Sequence, residues 1–187
     1  PADLVITDYD MPGFNGIELI KRVRHRPATA DVPILMITAI DDPAVRLAAK
    51  RLKRLGFAAT IDESALARHQ RFAGDDDTRL AALHRVARAA PSVALATRGG
   101  YGLTRLLDRI DWPLLAKSVE RGTRWVGHSD LTTLQLGLLA HTRGAHPVTW
   151  AGPLAADHFG RSEEDGGVDE VTRDCFCEAM RGELEAI

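Results

Sequence analysis

Three short runs in this chain carry residue types that can do chemistry. The first is Gly127-His128-Ser129-Asp130, which follows Trp125-Val126 and leads into the helix-period stretch Leu131–Leu136. A serine on a sharp strand-to-helix turn presents its hydroxyl at a sheet edge, with the next backbone N–H and the helix dipole facing a developing oxyanion. The chemistry on offer is nucleophilic attack on a carbonyl. The same serine is also a good helix N-cap, a purely structural use. The second run is Arg98-Gly99-Gly100-Tyr101-Gly102, after the apolar Val93–Thr97. Its glycines let backbone amides approach and point at an anion. The spacing is not the Gly-x-Gly-x-x-Gly of dinucleotide sites, and a plain tight turn has the same composition. The third is Asp8, which closes an apolar run where α/β folds place their ligands, with Thr38-Ala39 ending the next such run. If the two runs are neighbouring strands, the Thr38 hydroxyl lies beside Asp8.

These residues need a frame to hold them. Short apolar runs bounded by turn residues alternate with segments of helical period, which predicts a parallel sheet covered by helices on both faces. Strands are expected at Asp3–Thr7, Pro33–Thr38, Ala58–Ile61, Val93–Thr97, Arg124–Val126 and Val148–Trp150. Helices are expected at Asn15–His25, Asp42–Leu55, Asp76–Ala89, Tyr101–Leu107, Asp130–His141 and Val168–Arg181. Asp42-Pro43 starts one of them and Gly56 closes it. At 187 residues and 45% apolar content the chain can bury one good core, so the expectation is a single α/β domain, doubly wound and flavodoxin-like. Arg161–Gly167, polar and glycine-bearing, reads as a linker into a last helix.

Composition narrows the partners. A formal charge of -2 leaves no electrostatic footprint for nucleic acid or an anionic membrane, and the basic cluster Lys21–Arg26 reads as a solvated helix end. No apolar run approaches the roughly 18 residues of a membrane span, and no signal-peptide order opens the chain, so a soluble cytoplasmic protein is expected. Cys175 and Cys177 are too close for a disulfide framework or a zinc knuckle and read as free thiols of a reducing compartment. No cofactor and no metal is expected. The chain opens on Pro1 with no methionine and enters a strand at once, so a trimmed piece is expected.

Pro-Ala-Asp-Leu-Val-Ile-Thr-Asp, Met-Pro-Gly-Phe-Asn-Gly and Pro-Ile-Leu-Met-Ile-Thr-Ala, all within about residues 1–49, resemble the third strand, following loop and fourth strand of a response-regulator receiver domain. That resemblance implies that Asp8 corresponds to the phosphoacceptor and Thr38 to the switch threonine. The family's acidic pair would lie before Pro1 and its lysine-proline never arrives. A lone aspartate cannot neutralise an incoming phosphoryl group, so both residues are expected to be vestigial.

Ala-Gly-Asp-Asp at 73–76, Arg-Gly-Gly-Tyr-Gly at 98–102 and Gly-His-Ser-Asp at 127–130, in that order, resemble the LD-carboxypeptidase family of serine peptidases, which includes the microcin-immunity peptidases. The resemblance runs over about 43–182 and implies a peptidase that releases D-alanine from murein tetrapeptides in cytoplasmic peptidoglycan recycling. It makes Ser129 the nucleophile, the amides of Gly100 and Asp130 the oxyanion hole, and Arg98 and Tyr101 the mouth of the site. His128 stands where the family usually has an aromatic residue and is a poor candidate for the base. The family's triad glutamate and histidine belong to a second domain that begins after the segment resembling Val168–Gly182. His141, His146 and His158 read as solvated surface residues rather than substitutes. A serine without a base is a weak nucleophile, so little or no turnover is expected of this chain alone.

The two resemblances meet inside an equivalent strand–helix unit. This predicts a receiver-like fragment over 1–49, a peptidase-like part over 50–165 sharing one sheet with it, and a linker with terminal helix over 166–187. A murein-type peptide is the expected partner if the chain is active, and homodimerisation through an uncovered face is a second expectation. The alternatives are a non-catalytic chimera, natural or engineered, and a phosphoacceptor module.

Overall fold

The computed structural model describes residues 5–8, 10–11, 14–27, 34–37, 43–70, 72–142 and 148–183. The chain divides into two compact units, Pro1–Asp41 and Asp42–Ile187, a boundary that falls where the two resemblances meet. In the first unit strand β1 (Val5–Asp8) pairs in parallel with β4 (Ile34–Ile37), Val5 opposite Ile34 and Asp8 opposite Ile37. Two short strands, β2 (Asp10–Met11) and β3 (Phe14–Asn15), form an antiparallel pair in the segment where the receiver resemblance implies a loop. Helix α1 (Gly16–Arg24) follows, with Lys21, Arg22 and Arg24 in its last turn, where cations complement the helix dipole. Thr38, the expected partner of Asp8, lies outside the described residues.

The second unit is built on three parallel strands in chain order, β5 (Val93–Leu95), β6 (Arg124–Gly127) and β7 (Trp150–Ala151). Successive residues of a strand face opposite sides. Trp125 accordingly enters one core, with Ala87, Leu106, Ile110, Trp112, Leu115, Leu134 and Leu138. Val126 enters the other, with Ala48, Leu52, Phe159, Phe176 and Met180. Helices α3 (Asp76–Ala89), α4 (Trp112–Glu120) and α5 (Leu131–His141) supply the first core, while α2 (Pro43–Arg54) and α6 (Glu170–Arg181) supply the second. This is the α/β arrangement the sequence predicts, a parallel sheet with helices on both faces.

The caps carry the helix ends. Phe57 N–H bonds Leu52 O at 3.1 Å and Gly56 N–H bonds Lys53 O at 3.1 Å, the paired closure of a helix that ends on a left-handed glycine (φ +93°). Asp75, Asp111 and Asp169 each accept the N–H three residues on, at 2.8, 3.0 and 2.7 Å.

Two expectations fail. Ala58–Ile61 joins no ladder among the described residues: its two alanines offer little side chain to bury, and Asp62 next to it accepts the Ser64 amide at 2.9 Å and clamps Arg85 at 2.7 Å. Tyr101–Leu107 is not one helix but two 3-10 turns, Leu103–Arg105 and Leu107–Arg109, set by burying Leu106 and Ile110. The α4 helix was signalled by Asp111-Trp112-Pro113, a cap followed by a first-turn proline, and was missed. Cys175 is exposed and Cys177 buried, both free, and burial pushes the Cys177 thiol up. Among the described residues no helix is long and apolar enough to cross a membrane.

Candidate active site

Strand β6 ends at Gly127, and the chain turns into α5 through His128, Ser129 and Asp130. A Cβ on Gly127 would lie 2.7 Å from Leu131 Cδ2 and 3.0 Å from Ala96 Cβ, so the turn is tight enough to require glycine. Ser129 has φ +60°, a left-handed conformation that costs a side-chain-bearing residue about 1–2 kcal/mol. Serine held there by the surrounding structure is a strained residue at a strand end, and strain of this kind gathers at functional sites. The N-cap alternative is not the one taken. No side chain caps α5, and the first turn closes on backbone carbonyls, with Thr132 N–H on Ser129 O at 3.0 Å. The hydroxyl is left at the exposed surface of the turn.

The glycine run lies against this elbow because β5 and β6 are neighbours, Leu95 opposite Val126, so their carboxyl ends open side by side. A Cβ on Gly99 would sit 3.0 Å from both Cβ and Oγ of Ser129, and Gly100 adopts φ +107°. The Asp130 carboxylate accepts the Leu103 amide at 2.9 Å, tying the elbow to the far end of the same loop. The amides of Gly100 and Asp130 carry no hydrogen bond among the described residues. Four of the residues expected at a site, Ser129, Gly100, Asp130 and Arg98, therefore meet at one sheet edge.

Tyr101 also belongs to that edge, 57% exposed and edge-on to Phe72 with ring centres 5.5 Å apart. Phe72 is held under the Arg79 guanidinium, 4.5 Å from its ring centre, and leaves Gly102 no room for a Cβ, which would approach Phe72 Cε1 to 2.6 Å. The acidic pair of the Ala-Gly-Asp-Asp run does structural work here. Asp75 caps α3, and Asp76 grips Arg105 through three contacts of 3.1, 3.0 and 2.8 Å. The Arg105 contact holds the Asp76 carboxyl below its ordinary range, and the Thr78 amide does the same for Asp75.

The third wall was not foreseen. After β7 the chain forms a π-helical turn, Ala155–Phe159, pinned to the segment before Arg98 by Ala155 N–H on Ala96 O and Ala156 N–H on Thr97 O, both at 2.9 Å. It brings Asp157 to Arg98 at 2.7 Å and places the His158 ring 5.5 Å from that of His128. Leu154, fully buried, packs under both Gly99 and Gly127. From α5, the buried Gln135 amide donates to Trp150 O at 3.0 Å and bridges the ends of β6 and β7. A lone glutamine between Leu134 and Leu136 in an apolar helix was the signal for it.

No described histidine hydrogen-bonds the Ser129 hydroxyl. His128 Nδ1 lies on Gly152 O at 2.8 Å, His158 Nδ1 takes the Leu154 amide at 3.0 Å, and His84 Nε2 takes the Asp111 amide at 3.0 Å. His141 stacks on Trp112 with ring centres 4.8 Å apart. His146 lies outside the described residues. Burial holds the His84 imidazole below its usual value. Among the described residues no three metal-binding side chains converge.

Comparison with known proteins gives two family matches. Residues 35–148 match the LD-carboxypeptidase N-terminal domain, and residues 1–59 match the response regulator receiver domain. A probable murein peptide carboxypeptidase of Bacillus subtilis (strain 168) is 33% identical over 110 residues, 58% of this chain and 33% of that protein. The cyclic di-GMP phosphodiesterase response regulator RpfG of Xanthomonas campestris is 45% identical over 48 residues, 26% of this chain and 13% of that protein. Among solved structures, muramoyltetrapeptide carboxypeptidase from Oxalobacter formigenes superposes with a TM-score of 0.50 at 27% identity, over 93% of this chain and 47% of that one. An active-site mutant of the microcin C7 self-immunity protein superposes at 0.62 and 19% identity, over 76% of this chain and 45% of that one, a likeness of fold. The chain spans under half the length of each of these relatives.

Proposed function

The chain belongs to the family of LD-carboxypeptidase N-terminal domains, and from that premise we propose that it carries the nucleophile half of a serine peptidase site acting on murein-type peptides. Ser129 attacks the carbonyl of the last peptide bond, and the amides of Gly100 and Asp130 receive the oxyanion, releasing the terminal D-alanine. The observation that carries this reading is the left-handed Ser129 with Gly99 pressed against its side chain. A backbone strained to expose one hydroxyl, with the amides of Gly100 and Asp130 carrying no hydrogen bond among the described residues, is what acyl transfer needs.

The base is the part not found among the described residues, where no histidine hydrogen-bonds the Ser129 hydroxyl and His84, His128 and His158 each give one ring nitrogen to the backbone. We expect little turnover from the 187 residues alone. Turnover should appear when a peptidase domain bearing a glutamate–histidine pair is supplied. The test is D-alanine release from a murein tetrapeptide, with and without that domain. Release that vanishes in Ser129→Ala supports the reading, and no release in either case sinks it.

A second reading, a non-catalytic association module, is favoured by one observation: α5 leaves Leu136 and Leu139 60% and 48% exposed. Sedimentation of the chain would show a homodimer if that face is self-associating, and Leu136→Lys would dissolve it.

A further inference from the structure

A peptidase that removes one terminal residue must hold its substrate's free carboxylate about one residue's reach from the carbonyl under attack, roughly 3.5 Å of chain. The anchor has to stand beside the nucleophile. Two polar pairs lie on the described rim. Arg98 and Asp157 hold each other at 2.7 Å and line a cleft beside the first turn of α2, with Arg161, Ser162 and Asp165; Ser129 is not among its walls. The other pair is His128, the residue before Ser129 in the chain, and His158, whose rings are 5.5 Å apart and crossed at 87°.

The hydrogen bonds decide which ring nitrogens are occupied. A carbonyl only accepts, so Nδ1 of His128, 2.8 Å from Gly152 O, carries a hydrogen. A backbone amide only donates, so Nδ1 of His158, 3.0 Å from Leu154 N, is bare, and the neutral ring keeps its hydrogen on Nε2. Both imidazoles are thus fixed through Nδ1 to the backbone at the carboxyl end of β7. Neither Nε2 has a hydrogen-bond partner among the described residues. His158 Nε2–H is a fixed donor, and His128 Nε2 becomes a second donor once protonated. A metal ion would not suit the pair, since His158 has no lone pair on Nε2 while its Nδ1 accepts. The charged groups on the same rim are already committed: Arg98 and Asp157 to each other, and Asp130 to the Leu103 amide at 2.9 Å.

We propose that His128 and His158 form the subsite for the C-terminal carboxylate of the peptide, His158 donating through Nε2–H and His128 donating as an imidazolium. This rests on the peptidase reading of Ser129 and names how that site recognises a chain end.

The experiment titrates the 187-residue chain with acetyl-L-lysyl-D-alanine and with its carboxamide, by calorimetry and by following the imidazole resonances. The acid should bind about tenfold tighter than the amide, the weight of one charge-assisted hydrogen bond, and should move both ring signals. His128→Phe and His158→Asn should erase that preference, while Ser129→Ala keeps it. Asn keeps an acceptor for the Leu154 amide and removes only the Nε2 donor, and tryptophan fluorescence checks that each variant is folded. Equal binding of acid and amide, binding of neither, or a preference that survives both substitutions overturns the subsite. D-alanine release, measured with the base-bearing domain supplied, is scored apart: release without acid preference defeats the subsite, and preference without release defeats the peptidase reading.

Discussion

The ends of β1 and β6 look alike on paper. Each has, at or just past the end of a parallel strand, a residue able to accept or donate in acyl or phosphoryl chemistry, and each precedes a helix. At β1, Asp8 lies in a regular ladder opposite Ile37. At β6 Ser129 lies beyond the ladder, in a left-handed turn, where a Cβ added to Gly99 of the adjacent loop would sit 3.0 Å from its Oγ. A reactive residue type at a strand end is common. A strained backbone with neighbours cut away to receive it is not.

The largest effect that would break this contrast is on catalysis. With a base-bearing domain supplied, Ser129→Ala should lower D-alanine release about a million-fold, as loss of the nucleophile does in other serine proteases, whereas Asp8→Ala should leave the rate unchanged. Equal losses would show that the two ends are not different in kind. Gly99→Ala is the next step down. Its methyl would meet the Ser129 side chain at 3.0 Å and should cut kcat by about a hundredfold with little change in unfolding midpoint. Gly127→Ala should destabilise the second unit by about 1–3 kcal/mol, since its methyl runs into Leu131 and Ala96. Urea unfolding followed by tryptophan fluorescence reads it, because Trp112, Trp125 and Trp150 all lie in that unit. The smallest effect is acid sensitivity. Arg85 holds Asp62 below its ordinary value, and the Thr78 and Thr172 amides do the same for the caps Asp75 and Asp169. A carboxyl whose folded value is depressed contributes stability above its unfolded value of 3.8 and loses it as pH falls through the folded one. Thermal midpoints should therefore be flat from neutral pH to about 4 and fall below it, less steeply in Asp62→Asn.

Much of the frame was legible because it depends on local rules. Period and caps located β5, β6, α3, α5 and α6 within a few residues, and Gly56 marked the end of α2. The same rules misread 58–61 and 101–107, where only distant packing decides: Asp62 is drawn to Arg85, and Leu106 and Ile110 to a core made with α4 and α5. Of the site, the serine turn and the glycine run could be picked out by residue type.

By itself the sequence determined that Ser129 occupies a strand-to-helix turn and that a glycine-rich run follows the strand before it, since both follow from residue types a few positions apart. Only the tertiary structure decided that Gly99 lies against Ser129, that Phe72 props the loop at Gly102, and that a π-helical turn brings His158 to His128. Those contacts join residues about thirty positions apart in each case, and nothing in local spacing records which strand ends open side by side. Strand order does, and it is settled by burying Trp125 on one face of the sheet and Val126 on the other.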